Sequence, residues 1–177
     1  LIDIIQNWDR KANIKSRGAA QWFIYYRNLD QIVTKSKMDL NTKIPEKFIL
    51  SALEKTNEYF MKNFGGLDVL FEDFQKHVRG DVELAVPGLV DMIGAISTKN
   101  YKEGMVKAVS GESYIMLVRY STSGMEIETV LPYGSSNRSD SPHYTDQMSL
   151  YVNHQRKKMT LDKEIIYNNS KKIYHPQ

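Results

Sequence analysis

Ser141, His143 and Asp146 fall within six positions of the stretch VLPYGSSNRSDSPHYTDQMSLY, residues 130 to 151. A hydroxyl, an imidazole and a carboxylate are the three groups of a nucleophilic relay, in which the His stands between the other two and takes the proton of the attacking oxygen. That chemistry requires convergent side chains, and residues two and three apart at a helix start point in different directions. The same three residues have a structural use. Ser141 can cap a helix, Pro142 can occupy its first position, and Asp146 can sit near the positive end of its dipole. The spacing favours a corner of the fold over a triad, with His143 hydrogen-bonded inside it.

Other residue patterns carry weaker chemistry. Glu126 and Glu128 share one face of an expected strand, about 7 Å apart. Paired acids at that separation serve inverting glycosidases, but those straddle the substrate from different elements, and two neighbours on one strand read as a solvated face. Arg79-Gly80-Asp81 spells an integrin-recognition tripeptide and reads more simply as a turn with Gly80 at its bend. The four histidines, His77, His143, His154 and His175, lack the spacing of a zinc site. Neither GxxxxGK[ST] nor GxGxxG occurs, so no phosphate loop is indicated. The site reading is therefore that no catalytic, cofactor-binding or metal-binding residue is assigned.

The elements that would position these residues change along the chain. From Ser16 onward, Ala19, Trp22, Phe23, Tyr26, Leu29 and Val33 recur at three- and four-residue steps, an amphipathic helix whose aromatic stripe is expected to be core. After the polar break KSKMDLNTK, Pro45 is expected in the first turn of a second helix, carried on by Ile49, Ala52, Leu53, Thr56, Tyr59 and Phe60 and stopped at Gly65-Gly66. SYIMLVRY, residues 113 to 120, is a nearly unbroken apolar run that suits a strand covered on both faces. STSG then turns the chain, and MEIETVL alternates, with Met125, Ile127, Thr129 and Leu131 on one face. Together the two runs predict a β-hairpin. A short helix is expected over HYTDQMSLYVNHQ, and a polar, loosely held tail from Asp162.

Bulk properties bound the rest. The 177 residues allow one domain with a sizeable core, and 41% hydrophobic against 25% charged is an ordinary globular balance. The net charge is +3, and the lysines and arginines are scattered, densest at Arg156-Lys157-Lys158 and Lys171-Lys172, which argues against a nucleic-acid partner. No run of about 18 apolar residues predicts a membrane span. With no cysteine there is neither a disulfide framework nor a thiolate metal site. The first residues, LIDIIQNWDR, contain neither an initiator Met nor a signal segment, and the expectation is a piece of a longer polypeptide.

Three segments, in order, resemble the penicillin acylase family of N-terminal nucleophile hydrolases. NWDRKANIKSRGAAQWF (7 to 23) is similar to its Trp-Asp helix entrance and Ser-x-Gly-Ala helix. FEDFQKHVRGDVELAVPGL (71 to 89) is similar to the loop where a His and an Arg-Gly-Asp step precede a Pro-Gly turn, and leans toward the acyl-homoserine lactone acylase branch. SPHYTDQ (141 to 147) resembles the signature that opens the family's last helix, and GESYIMLVRYS the strand before it. Bulky apolar and Lys-rich positions stand where many members carry a Gly-rich linker.

The resemblance implies an α+β fragment of an αββα sandwich, with a helical part over about 1–64 and a loop-and-strand part over about 65–177, forming the C-terminal part of a large subunit. In that family the first residue of the large chain is a serine. Its own α-amine, with a pKa near 8, can act as a base where an amide nitrogen cannot, and backbone N–H groups with an Asn hold the oxyanion. None of those groups is assigned to this sequence, whose first residue is Leu1. The implied partners are the rest of the acylase (a small subunit and the N-terminal part of the large one) and a small-molecule N-acyl amide. No cofactor is required; calcium occurs in some members, with ligands not recognisable here. A periplasmic or extracellular location is implied. The alternative is an inactive binding or scaffold module sharing the fold segment.

Overall fold

An indole and a glycine set the entry to the first long helix. Helix α1 (Ile2–Gln6) leads to Trp8, whose ring N–H donates to Lys11 O at 2.9 Å and Ser16 Oγ at 3.0 Å. Gly18 then passes so close beneath the indole that a Cβ there would lie 2.5 Å from Trp8 Cβ, and its φ of +106° is itself a glycine conformation. Helix α2 (Ala19–Lys35) starts at this point. The computed structural model describes residues 1–90 and 92–172, and these belong to two compact units, Leu1–Glu112 and Ser113–Gln177.

In the first unit, α2 packs on α3 (Glu46–Phe64). Pro45 stands one position before α3, and Gly65, at φ +70°, closes it as the sequence predicts. Ala52, Thr56 and Phe60 are the buried face of α3, four residues apart. Ile24 of α2 and Phe60 join Phe71 and Phe74 of the one-turn helix α4 (Phe71–Phe74) in the main core. The ring of Phe74 lies within 5.7 to 6.5 Å of those of Phe23, Phe60, Phe64 and Phe71. Removing a ring so enclosed costs about 3–5 kcal/mol.

The aromatic stripe of α2 is only partly core. Trp22 is 37% and Tyr26 44% exposed, and Trp22 stacks on Trp8 and Tyr26 with centroids 6.2 Å apart in each case. The face actually buried runs through Ala20, Ile24, Leu29 and Val33, with Gln21 beside it. Small residues and a glutamine let the α4 segment approach, so the largest rings rotate toward solvent.

Where a loop is expected over 71 to 89, the chain forms strands. Strand β1 (Gln75–Arg79) turns at Gly80-Asp81, with Gly80 at φ +57°, into β2 (Val82–Ala85). Strand β3 (Ile96–Asn100), a 3-10 turn at Lys102–Gly104 and β4 (Val106–Gly111) complete a sheet of order β2-β1-β4-β3, in which β1 and β4 run parallel. The strands escape sequence reading because the core face of β1 carries Gln75 and His77, both buried, and polar residues on the inside invert the usual alternation.

The second unit contains the expected hairpin. Strand β5 (Ile115–Ser121) and β6 (Gly124–Val130) pair antiparallel across a two-residue turn, with Gly124 at φ +127°. Strand β7 (Lys157–Met159) adds to β6, leaving β5 at the edge. The expectation of a β5 covered on both faces is not met within this chain: Met116 is 50%, Leu117 48% and Tyr120 79% exposed. Helix α5 (Met148–Val152) is shorter than expected. The tail, exposed throughout its described residues, contains a short helix not expected from the sequence. Asp162 caps a helix, α6 (Lys163–Asn169), its Oδ1 accepting from the backbone N–H groups of Glu164 and Ile165 at 2.9 and 3.2 Å. Helices and antiparallel-rich sheets thus give a mixed α+β chain.

Candidate functional site at the 131–147 corner

Strand β6 ends in Thr129 and Val130, both buried, and the chain must then reverse. Two bonds to one glutamine fix the reversal. The Leu131 N–H donates to Gln147 Oε1 at 3.0 Å, and the Gln147 N–H donates to Tyr133 O at 3.0 Å. Ser136 N–H donates to His143 O at 3.1 Å, closing the loop on itself. Gly134 lies inside this closure. A Cβ there would sit 2.2 Å from His143 O and 2.7 Å from Asp146 Oδ1, so only a residue without a side chain lets the two limbs meet. At the outer rim Arg138 grips Asp140 through Nε at 3.1 Å and Nη2 at 2.7 Å, and the guanidinium beside it holds the Asp140 carboxyl below the usual range.

Within this frame the three residues of the opening motif have separate tasks. Ser141 Oγ accepts from the backbone N–H of His143 at 3.2 Å, a turn bond rather than a bond to the ring. His143 Nδ1 meets Asp146 Oδ2 at 2.8 Å. A carboxylate oxygen accepts, so the bond is one that the ring Nδ1–H donates. The acid–base half of a relay is therefore built. The nucleophile half is not: Ser141 points into the turn, and the His143 side chain is 62% exposed rather than enclosed in the corner. Because residues 141 to 147 are taken up by successive turns, Tyr144 N–H to Ser141 O and Met148 N–H to Thr145 O at 3.1 Å each, α5 starts at Met148 and Ser141 caps a turn instead of a helix.

The remaining candidates are held apart. Glu126 pairs with Arg119, its directly opposed neighbour on β5, at 3.2 Å, and Glu128 with Arg156 at 3.4 Å. Two carboxylates each facing an arginine on an exposed strand do not flank a substrate. Arg79-Gly80-Asp81 is the β1–β2 turn, as its sequence suggests. His77 is buried on β1 and His154 follows α5, while His175 lies outside the described residues. Among the described residues no three His, Asp or Glu side chains converge as metal ligands. Nor is any helix among them long and apolar enough to cross a membrane.

Sequence reasoning missed the glutamines. Gln21 is fully buried: its Oε1 accepts from Gly18 N–H at 3.0 Å, and its Nε2 donates to Leu67 O at 2.6 Å and Val69 O at 3.1 Å. Gln75, also fully buried, donates to Val86 O at 3.0 Å and Gly88 O at 2.8 Å. With Gln147 they cross-link irregular segments through backbone groups that no ladder would otherwise satisfy. A glutamine at an apolar position of a helix was the only available signal, and it exists for Gln21 alone.

The penicillin amidase family model matches residues 1–167. Among solved structures the chain is similar to a thermostable penicillin G acylase from Alcaligenes faecalis, with 17% sequence identity and a TM-score of 0.37 over 87% of this chain. It spans 29% of the length of that solved chain.

Proposed function

The chain belongs to the penicillin amidase family, and from that membership we propose that it is the C-terminal part of the large subunit of an N-acyl amide hydrolase. The observation that carries the reading is the family match along residues 1–167. In the proposed enzyme the hydroxyl of an N-terminal serine outside this chain attacks the acyl carbon, its α-amine takes the hydroxyl proton and passes it to the amine that departs as the amide C–N bond breaks, and water then hydrolyses the acyl–serine ester to release the acid. An acyl-homoserine lactone or a penicillin-like amide is the proposed substrate, and the periplasm or the cell exterior the proposed location. The role of residues 1–177 is architectural: the 131–147 corner holds a sheet end in place, and among the described residues no hydroxyl hydrogen-bonds to the imidazole of its His143–Asp146 pair.

The test uses the full-length polypeptide. After maturation, the first residue of each chain is identified and hydrolysis of an N-acyl homoserine lactone and of a phenylacetyl amide is measured. The reading expects a large chain beginning with Ser, turnover of at least one substrate class, and its loss on replacing that Ser by Ala. Purified 1–177 should be inert. Turnover by the purified 1–177 polypeptide that survives a contaminant control would overturn the architectural role. Absence of turnover by the mature full-length protein would favour a binding or scaffold module.

A further inference from the structure

Lysines that look scattered in sequence are lined up by the sheet of the first unit. Lys76 of β1 is in register with Lys107 of β4, and Lys107 is in register with Lys99 of β3. Residues paired directly across neighbouring strands share a face, and neighbouring strands lie about 4.8 Å apart. Three lysines therefore occupy one row of backbone positions across three strands. The opposite face carries Gln75 and Val106, both buried, so the row is on the outer side of the sheet. Like charges directly opposed across strands are destabilising.

Little on the protein offsets this. Lys76 Nζ donates to Glu72 O at 2.7 Å, a backbone carbonyl. Lys107 Nζ lies 5.0 Å from the ring centroid of Tyr101. Lys99 has no ion-pair partner among the described residues. Glu83, whose carboxylate feels the charge of Lys76, is held more closely by Lys102 at 2.9 Å and by the Tyr101 hydroxyl at 3.1 Å. The row is thus charged, exposed at Lys99 and half-buried at its other members.

We propose that this row is a docking surface for an acidic helical segment of polypeptide laid across the strands. Charge complementarity names the chemistry, and spacing names the form. Carboxylates at i, i+3 and i+4 of a helix stand about 5–6 Å apart, close to the strand spacing of the lysines, whereas same-side residues of an extended strand are separated by about 7 Å. Charges of this kind govern encounter and specificity more than affinity. This inference does not depend on the hydrolase reading, and the two fail in different assays.

The experiment titrates the mature full-length protein into a fluorescein-labelled, alanine-based peptide of about 20 residues with glutamates at successive i, i+4 positions, followed by anisotropy at low salt. Binding is expected, weakening steeply as salt rises, and falling at least about tenfold in the Lys99→Gln/Lys107→Gln double variant. The thermal midpoint of Lys99→Gln should hold or rise, because a repulsion is removed. Absence of binding at low salt, or binding indifferent to the double variant, overturns the proposal. So does equal binding of a peptide with its glutamates spread around the helix, or tighter binding of a single-stranded oligonucleotide of equal charge. A fall in the Lys99→Gln midpoint would make the row structural and likewise overturn it.

Discussion

Whether a polar cluster does chemistry depends on where its lone pairs and protons point, and Ser141 decides the matter for this chain. Its Oγ accepts from the His143 backbone N–H, and the imidazole makes its hydrogen bond to Asp146 instead. Ser141→Ala in the proposed full-length hydrolase should therefore leave kcat/KM within about twofold and lower stability by about 0.5–1.5 kcal/mol, the worth of one turn hydrogen bond. Loss of a true relay member costs roughly 10⁴-fold or more in kcat, and steady-state kinetics beside a thermal melt separate the two outcomes without ambiguity. Glu83 is the residue whose ionisation matters most clearly for stability. The hydrogen bond from Lys102, and then that from Tyr101, outweigh its desolvation and hold its carboxyl below the ordinary 4.5. A carboxyl depressed in the folded state stabilises the protein above its unfolded pKa, and that contribution disappears as pH falls through the lower folded value. Urea melts of wild type and Glu83→Gln should therefore differ at about pH 7, with wild type the more stable, and converge toward about pH 3. An equal gap at both pH values would mean that the Lys102 contact contributes nothing to folding.

At the scale of elements, legibility follows from whether the core face is apolar. Helix α3 was readable because Ala52, Thr56 and Phe60 repeat every four residues and Gly65 ends the run. The β5–β6 hairpin was readable because STSG separates two strand-like stretches. Strands β1 and β2 were hidden because Gln75 and His77 face inward, and α6 because a helix of seven residues rests on a single cap, Asp162. In the candidate site, the corner was legible as a corner. The exposure of His143 and the turns that delay α5 were not, since both depend on Gly134 and Gln147 meeting residues distant in sequence. The buried glutamines now carry a prediction. Gln21 joins the α2 start to the 67–69 segment through three hydrogen bonds. Gln21→Leu keeps volume but leaves Gly18 N–H and the Leu67 and Val69 carbonyls without that partner, each buried group costing about 1–3 kcal/mol. A destabilisation of about 3 kcal/mol or more is expected in chemical denaturation. A loss below about 1 kcal/mol would show that those groups find other partners.

For the whole molecule the informative feature is surface that a free-standing sheet would not leave bare. A three-stranded sheet gains independent stability from an apolar face packed on something. Here β5 is an edge strand, and Tyr114, Met116, Leu117, Tyr120 and Met125 are all at least 42% exposed, as is Met159 on β7. An edge rich in apolar side chains is a template for further pairing, and soluble proteins usually blunt it with charge, proline or a bulge. On β5 only Arg119, bound to Glu126, interrupts the row. The architectural role proposed for this chain accounts for that surface, because the covering layers would come from the rest of the acylase. It follows that residues 1–177 produced alone should bind a hydrophobic dye strongly and associate as concentration rises, whereas the mature full-length protein should do neither. Introducing lysine at Leu117 and Tyr120 should suppress both effects in the isolated polypeptide, and the same pair in the full-length protein should impair assembly or maturation, since the charges would then be buried. Equal dye binding by the isolated and full-length forms, or full-length assembly indifferent to the two lysines, would mean that the β5 surface is open to solvent in the full-length protein and is not an internal joint.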